Sequence, residues 1–249
     1  MSSERNQSDM ERSAPSLGRL AFFEGADAAA LARTEAAART FGFDAGETVL
    51  DFDCPSTEVR VILHGGPLRV LMRTSGGREK IVAEVGPGAF VGELAAFAGP
   101  AHSPSAGIRA VHRALVAVVP GEVFVELILA SPLLGRRLIT VLAERLRSQN
   151  LRLLEYAALP TRQRLCAELL RLARPRPPEA GGGLAVFPPP PRPELAARIG
   201  ARREAVSRDL AELARAGRLQ VGRRAIVLLD EAALRAEVEA AMEAAKRLA

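Results

Sequence analysis

Residues 193–210 read PELAARIGARREAVSRDL, and this stretch decides the fold of the region around it. Apolar residues recur with helical spacing from Leu195 to Ile199, and Val206 begins the same period again after a break. Gly200 lies in the break, where glycine tolerates the positive φ that a tight turn between helices needs. The pattern therefore predicts two short helices joined by a tight turn, a helix-turn-helix.

The second predicted helix carries polar and charged side chains near its N-terminal end. That end reaches base edges when such a helix lies in the major groove of DNA. Arginine can bridge O6 and N7 of guanine, glutamate can accept a hydrogen bond from N4 of cytosine, and serine can contact bases or phosphates. The candidate DNA contacts here are Arg202, Arg203, Glu204, Ser207 and Arg208. From this window alone, an ordinary pair of surface helices with solvated charges is the alternative.

The residues after this stretch favour the DNA-binding interpretation. Strand-like segments at 217–221 and 225–229 flank a Gly-Arg-Arg turn, which predicts a wing with Arg223 and Arg224 as further DNA contacts. Residues 192–224 hold nine arginines and four acidic residues, a surplus equal to the formal net charge of +5 of all 249 residues. The positive field therefore belongs to this module and suits a phosphate backbone.

Composition limits the other classes of protein. A chain of 249 residues has room for two modest domains. It contains no run of about twenty apolar residues, so we expect no membrane partner and a cytoplasmic location. Cys54 and Cys166 form no CxxC pair, which predicts structural cysteines and neither a metal site nor an iron–sulfur cluster. A haem or metal ligand among the scattered histidines is the less favoured alternative; they are His64, His102 and His112.

The N-terminal half predicts a β-domain behind a disordered tail at residues 1–16. Residues 17–41 hold an Ala-rich helical stretch, and residues 43–118 change to short alternating segments separated by glycine. Such strands at regular spacing predict an antiparallel roll or sandwich, here a small all-β domain over residues 17–130. The predicted strands are 47–50, 59–63, 68–72, 79–85, 108–111 and 114–118.

A long helix is predicted over residues 131–159. Its heptad position a falls on Ile139, Leu146 and Leu153, and its position d on Gly135, Leu142, Gln149 and Tyr156. This seam is apolar except at Gln149, so we expect a parallel homodimer in which Gln149 either fixes the register or meets a ligand. The alternative is a helix packed on its own β-domain, but the charged residues around the seam favour exposure.

Residues 160–249 complete the predicted fold. A second helix covers 162–173, a Pro- and Gly-rich loop covers 175–183, and a short strand at 184–187 leads into the helix-turn-helix. An amphipathic helix over 230–248 follows the wing. The predicted fold class is α+β: an N-terminal antiparallel β-roll, a long dimerisation helix and a C-terminal winged helix-turn-helix.

These three parts, in this order, resemble the Crp/Fnr family of bacterial transcription regulators along residues 20–230. Residues 86–94 (GPGAFVGEL) resemble its phosphate-binding cassette, residues 132–134 (PLL) the start of its dimer helix, and residues 203–208 (REAVSR) its recognition-helix signature. The resemblance implies a homodimer on an inverted repeat in double-stranded DNA with TTGA-like half-sites. It also implies contact with RNA polymerase, and either an effector in the roll or constitutive competence. Arg202 departs from the Ser or Thr that usually caps the recognition helix.

The resemblance also places an effector site. In nucleotide-binding members the cassette glutamate, here Glu93, binds the ribose hydroxyl, and an Arg-Ser pair binds the cyclic phosphate. That pair falls on Pro104 and Ser105, so the arginine is missing and a phosphate loses its bidentate partner. The adenine contacts fall on two amides of the long helix. The candidate effector residues are Gly92, Glu93, Leu94, Ser105, Ala106, Gln149 and Asn150.

Three expectations follow for function. Cyclic AMP is not expected to be the strong effector. Three alternatives stay open: the cassette has a purely structural role, it binds a different small molecule, or Arg109 replaces the missing cation. A cyclic-nucleotide-sensing module in which ligand binding is the main activity is the alternative to a DNA-binding regulator. No nucleophile with a base, metal-ligand spacing or Walker motif is present, so we expect no enzymatic activity.

Overall fold

The computed structural model describes residues 15–52, 54, 56–77, 79–99, 106–177 and 181–247. The predicted tail lies outside these residues except for Pro15 and Ser16. The chain divides into two compact units, the first ending at Glu144 and the second beginning at Arg145. This division falls inside a single long helix, α4 (Pro132–Ala158). The domain boundaries drawn from the sequence stay predictions.

The first unit begins with a 3-10 helix (Leu17–Arg19) and α1 (Ala28–Ala37). The Asp27 side chain caps α1 by accepting a hydrogen bond from the Ala30 amide at 2.8 Å. The helical stretch predicted for residues 17–41 was wrong at its end, because residues 39–41 belong to a strand that pairs with residues 116–118. The backbone partners that this pairing supplies replace those of a further helical turn.

In the described part of the first unit, eight strands form two antiparallel sheets. They are β1 (Arg39–Phe43), β2 (Thr48–Leu50), β3 (Val59–Gly65), β4 (Leu68–Arg73), β5 (Glu79–Val85), β6 (Phe90–Val91), β7 (Ala106–Ala110) and β8 (Ala114–Val119). One sheet has the order β1-β8-β3-β6 and the other β2-β7-β4-β5. The predicted antiparallel roll is therefore confirmed. The sequence analysis missed β1 and the two-residue β6.

Strand β3 separates two buried layers. Val59, Val61 and Leu63 face a core made with α3 (Gly121–Leu129) and the first turns of α4, whereas Ile62 faces the space between the two sheets. Successive strand residues point to opposite faces, so this alternation follows from the period of two. The remaining helix of this unit is α2 (Glu93–Ala98), which follows β6.

The second unit has its own core. Its helices are α5 (Thr161–Leu172), α6 (Arg192–Ile199), α7 (Arg203–Arg215) and α8 (Glu231–Lys246), and its strands are β9 (Arg174–Pro175), β10 (Leu184–Val186), β11 (Leu219–Val221) and β12 (Ile226–Leu228). The described strands pair in the order β11-β12-β10-β9. Leucines from α5, α6 and α7 pack together under this sheet, which is the arrangement of a winged helix-turn-helix.

The turn between α6 and α7 has the predicted geometry. Gly200 is left-handed, with φ 61° and ψ 39°, and the Ala201 amide donates to the Ala196 carbonyl at 2.9 Å. Leu195 and Val206 are fully buried on either side of the turn. Glycine at this position lets the chain reverse while both helices keep their apolar faces in one core.

Candidate nucleic-acid interface and effector cassette

Helix α7 presents the predicted readout residues on its outer face. Arg203, Glu204 and Arg208 are exposed and Ser207 is half-buried, whereas Val206 lies in the core on the opposite side. Residues three and four apart share one side of a helix, so these four polar side chains point outwards together. Arginine, glutamate and serine in this arrangement can form the hydrogen bonds that read base edges in a major groove.

The start of α7 departs from the usual capping pattern. Arg202 is the N-cap residue and has an extended backbone. Its side chain accepts no hydrogen bond from the amides of the first turn. The Glu204 carboxylate in the first turn still interacts favourably with the helix dipole. The first-turn amides therefore have no side-chain acceptor at the N-cap, as expected from arginine at this position.

Asp209 is a residue that the sequence analysis missed. It is buried on α7, and burial raises the pKa of its carboxyl group. The Arg208 Nε lies 3.8 Å from its Oδ1, while the Arg208 side chain stays largely exposed. Adjacent residues on a helix do not normally face each other, so the spacing gives no signal for this pair.

The wing is a short hairpin of β11 and β12. The Gly222 amide donates to the Ala225 carbonyl at 2.9 Å, and Arg223 and Arg224 are exposed at the tip. At the base, Arg218 forms an ion pair with Asp230. The arginines of this region are therefore not all available to a partner, because Arg218 is paired here and Arg198 is buried in an ion pair with Glu168.

The cassette forms a tight turn between β6 and α2. Gly92 has φ 98°, and a Cβ atom there would lie only 2.4 Å from the Glu58 carbonyl oxygen. Only glycine fits this close approach. Glu93 follows as the first residue of α2 and is 4% exposed, so its carboxylate is held inside the unit.

An apolar groove lies beside the cassette helix. Leu94 and Phe97 are 56% and 44% exposed and line a groove of about 500 Å³ together with one face of α4. The α4 residues that line it are Leu138, Ile139 and Leu142. Leu94, a candidate effector residue, therefore belongs to the apolar groove, and Glu93 borders it.

Arg109 does not face the interior of the roll. Its neighbours Ile108 and Ala110 on β7 fill the space between the sheets, and its own guanidinium donates to the Glu79 carboxylate at 3.3 and 3.4 Å. The alternation of strand side chains therefore places Arg109 on the outer surface. This position argues against Arg109 as the replacement for the missing cation.

A different arginine lies inside the roll. Arg60 shares the inward face of β3 with Ile62 and is 6% exposed. Its guanidinium donates to the Glu58 carbonyl at 2.9 Å and to the Glu58 carboxylate at 3.2 Å, while its Nε has no hydrogen-bond partner among the described residues. Burial lowers the pKa of Arg60, and the Glu58 charge opposes that effect. Its position in an otherwise apolar strand gave no functional signal.

The other candidate effector residues come from three different stretches of the chain. Ala106 begins β7 opposite Met72, and Ser105, like Pro104, lies outside the described residues. Gln149 and Asn150 are exposed on the part of α4 that belongs to the second unit. Residues 92–94 form one continuous turn, and a site that includes the other candidates stays a prediction.

The heptad face of α4 is largely exposed. Ile139, Leu146 and Leu153 have 69%, 63% and 67% of their surface accessible, and Leu142 is half-buried. Tyr156 departs from the predicted seam, because its hydroxyl donates to the Arg198 carbonyl at 2.6 Å within the second unit. Burial raises the pKa of this phenol.

The described part of the chain also bears on metal binding, membrane-spanning helices and the two cysteines. No three His, Cys, Asp or Glu side chains there are grouped to hold a metal ion. None of the helices found there is both long and apolar enough to cross a bilayer. Cys166 is buried, which raises its pKa to about 12, whereas Cys54 is exposed. The structural interpretation of the cysteines therefore applies to Cys166 alone.

A winged helix-turn-helix with exposed polar residues on its second helix, joined in one chain to a β-roll with a cassette turn, defines a DNA-binding transcription regulator. Comparisons with known proteins agree. Residues 163–237 match the family model of the Crp-like helix-turn-helix domain, and residues 40–131 match that of the cyclic nucleotide-binding domain. The chain belongs to the Crp/Fnr family of transcription regulators.

Two relatives illustrate this membership. A CRP-like cAMP-activated global transcriptional regulator of Mycobacterium tuberculosis is 28% identical over 215 residues, which cover 86% of this chain and 94% of that protein. A cyclic AMP receptor protein of Thermus thermophilus is 33% identical over 177 residues, or 71% of this chain and 77% of that protein.

Solved structures show the same fold. A CRP/FNR-family transcriptional regulator from Thermus thermophilus is 26% identical with a TM-score of 0.63, covering 81% of this chain and 98% of that one. FixK2 from Bradyrhizobium japonicum is also 26% identical, with a TM-score of 0.65 and coverage of 80% and 96%.

Proposed function

We propose that this regulator acts as a cytoplasmic homodimer, without enzymatic activity, that binds an inverted repeat and contacts RNA polymerase. The observation that carries the DNA-binding part is the outer face of α7. Arg203, Glu204 and Arg208 are exposed there, and the buried Val206 anchors the helix behind them. Because each protomer supplies one such helix, a twofold dimer would read two half-sites about one helical turn apart.

The dimer proposal is supported by the apolar face of α4. Ile139, Leu146 and Leu153 are each more than half exposed, and they follow one another at heptad spacing. A contiguous apolar stripe of this kind is unfavourable in water unless a second helix covers it. A second copy of the chain offers the same stripe and therefore the matching surface.

A small-molecule effector at the cassette is the second part of the proposal. The Mycobacterium relative is named as cAMP-activated and the Thermus relative as a cyclic AMP receptor. In this chain, however, Pro104 stands where a phosphate-binding arginine is expected, Arg109 pairs with Glu79, and Arg60 is already paired with Glu58. Burying a phosphate without a free cation is costly, so cyclic AMP is not expected to be the strong effector.

The experiment compares two arginine variants on DNA. After the preferred operator is selected from random sequences, Arg208→Ala should cost about 1–3 kcal/mol at one G·C pair and relax specificity there. Arg223→Ala, at the tip of the wing, should weaken binding to all sequences alike. It should also reduce the slope of log affinity against log salt concentration by the amount expected for about one phosphate contact. The matched control is Arg235→Ala on the outer side of α8, which should change neither. An equal loss on selected and random DNA for Arg208→Ala would contradict the assignment.

A further inference from the structure

Six charged residues form a cluster behind the helix-turn-helix, which we call the charge cluster. It consists of Arg152 and Glu155 on α4, Glu168 and Arg171 on α5, and Glu194 and Arg198 on α6. Its three positive and three negative charges balance. All six residues lie in the second unit, so the cluster joins the C-terminal turns of the long helix to the first helix of the DNA-binding motif.

Glu168 is the centre of the charge cluster. It is 1% exposed, and its Oε1 accepts a hydrogen bond from Arg198 at 3.4 Å. Its Oε2 pairs with Arg171 and lies 3.9 Å from Arg152. Arg198, itself 5% exposed, also donates to Glu194 at 2.9 and 3.1 Å. A buried carboxylate thus receives cations from three directions, two of them on different helices from its own.

Two further bonds fasten α4 to the same place. Arg171 pairs with Glu155 at 2.6 Å, and the Tyr156 hydroxyl donates to the Arg198 carbonyl at 2.6 Å. Three contacts, from Arg152, Glu155 and Tyr156, therefore come from one side of α4. The exposed Leu146 and Leu153, which belong to the proposed dimer face, lie about a third of a turn further around the helix.

The core of the unit is formed by apolar side chains. Leu165, Leu169 and Leu195 pack α5 against α6 and are fully buried. A buried ion pair adds little net stability, because desolvation offsets the attraction, and apolar side chains of similar size can often replace it. Hydrogen-bonded charges require a defined geometry, and a helix angle that separated them would leave a buried charge unpaired, which is costly. The charge cluster therefore contributes orientation more than stability.

We propose that the charge cluster fixes the angle between the dimer face of α4 and the recognition helix, and so sets the half-site spacing that the protein accepts. Glu168 and Arg198 act as positioning residues, since neither reaches the exposed face of α7. The proposal rests on the homodimer and inverted repeat of the proposed function. Once one protomer is bound to its half-site, a rigid connection between α4 and the helix-turn-helix lets the second protomer reach its half-site at one spacing only. Binding at other spacings would require this connection to bend.

The test uses a double variant, Glu168→Met with Arg198→Leu, in the full chain. Affinity is measured for the selected inverted repeat, for repeats with the spacer lengthened or shortened by one base pair, and for a single half-site. Glu237→Gln is the matched control, because it removes the 2.8 Å ion pair with Arg162 that joins α5 to α8 and not to α4. Thermal melting of the unmodified protein, the double variant and the control is followed by circular dichroism.

The expected result separates orientation from folding. The double variant should melt within a few degrees of the unmodified protein and bind the half-site within about twofold, but lose about tenfold on the full repeat and much of its spacing preference. The control should keep both affinities and the preference. A double variant that folds and keeps the original spacing preference overturns the proposal.

Two further outcomes are informative. If the unmodified protein has no spacing preference or binds as a monomer, the proposed function itself fails. A spacing preference that the double variant retains would instead overturn only the role of the charge cluster. If the double variant does not fold, Tyr156→Phe replaces it, since this change removes the hydroxyl that donates to the Arg198 carbonyl and keeps the aromatic ring. Tyr156→Phe should reduce the discrimination between spacers without changing half-site affinity, and an unchanged discrimination overturns the proposal.

Discussion

Replacing Gly92 with alanine tests whether backbone geometry alone requires glycine in the cassette turn. The φ angle of 98° is one that alanine adopts only with strain, and the added Cβ would lie 2.4 Å from the Glu58 carbonyl oxygen and 3.5 Å from the Val59 Cα. Since these neighbours are main-chain atoms at the start of β3, no side chain can rotate away to make room. Either the turn or the strand must move.

The expected loss of stability has two parts. A left-handed backbone costs a non-glycine residue about 1–2 kcal/mol. Displacing a carbonyl beside a well-packed strand adds about 1–3 kcal/mol, the range measured for overpacked cores. Gly92→Ala should therefore lower the free energy of unfolding by about 2–5 kcal/mol. Gly88→Ala is the control, because Gly88 has φ 81° in the same cassette but no atom of the described residues within 4 Å of its Cβ position.

Urea unfolding followed by far-UV circular dichroism measures both variants, since the chain has no tryptophan for fluorescence. Both glycines lie in the first unit, so the comparison concerns the same transition. Gly88→Ala should lose only the backbone part, about 1–2 kcal/mol. Equal losses for the two variants would refute the close approach of Gly92 to Glu58 as the reason for glycine at this position.

Three other measurements test the dimer, the effector site and the cysteines. Leu142→Glu with Leu146→Glu should give monomers in sedimentation at micromolar concentration, because charges would replace the apolar face; an unmodified protein that is already monomeric contradicts the dimer. Calorimetric titration with cyclic AMP should show no micromolar binding. Micromolar binding that Glu93→Ala abolishes would contradict this expectation and show that another cation replaces the missing arginine. The native protein should react with a thiol reagent at mildly alkaline pH through exposed Cys54 alone, since Cys166, with a pKa of about 12, stays a buried thiol. Rapid reaction of both thiols before unfolding would contradict this burial.

The helix-turn-helix could be predicted from local information. Its two helices carry an apolar residue at each expected turn, and Gly200 marks the reversal between them, so the period and one backbone preference were sufficient. The wing was predicted for the same reason, since alternation and a Gly-Arg-Arg turn are both short-range signals. The long helix also followed from an unbroken period, although Tyr156 left the seam for a contact 42 residues away.

The features that sequence reasoning missed depend on distant partners. Arg198 was counted among the basic residues of a DNA-binding surface, but it pairs with Glu168, 30 residues earlier, and is buried. Arg60 lies in an apolar strand and could be placed inside the roll only once its neighbours in the sheets were known. Strand β6, two residues long, has too few residues to show alternation. None of these pairings leaves a periodic trace in the sequence, so each required the fold.

The described residues from 143 to 164 contribute to none of the buried clusters, which end at Leu142 on one side and begin again at Leu165 on the other. Each unit therefore has its own buried core, and the stretch between them adds no residue to any of the clusters. Heating should give two transitions in place of a single cooperative one. A molecule bound at the cassette would raise the first transition directly, and any simultaneous rise in the second would measure in degrees how strongly the helix transmits the signal.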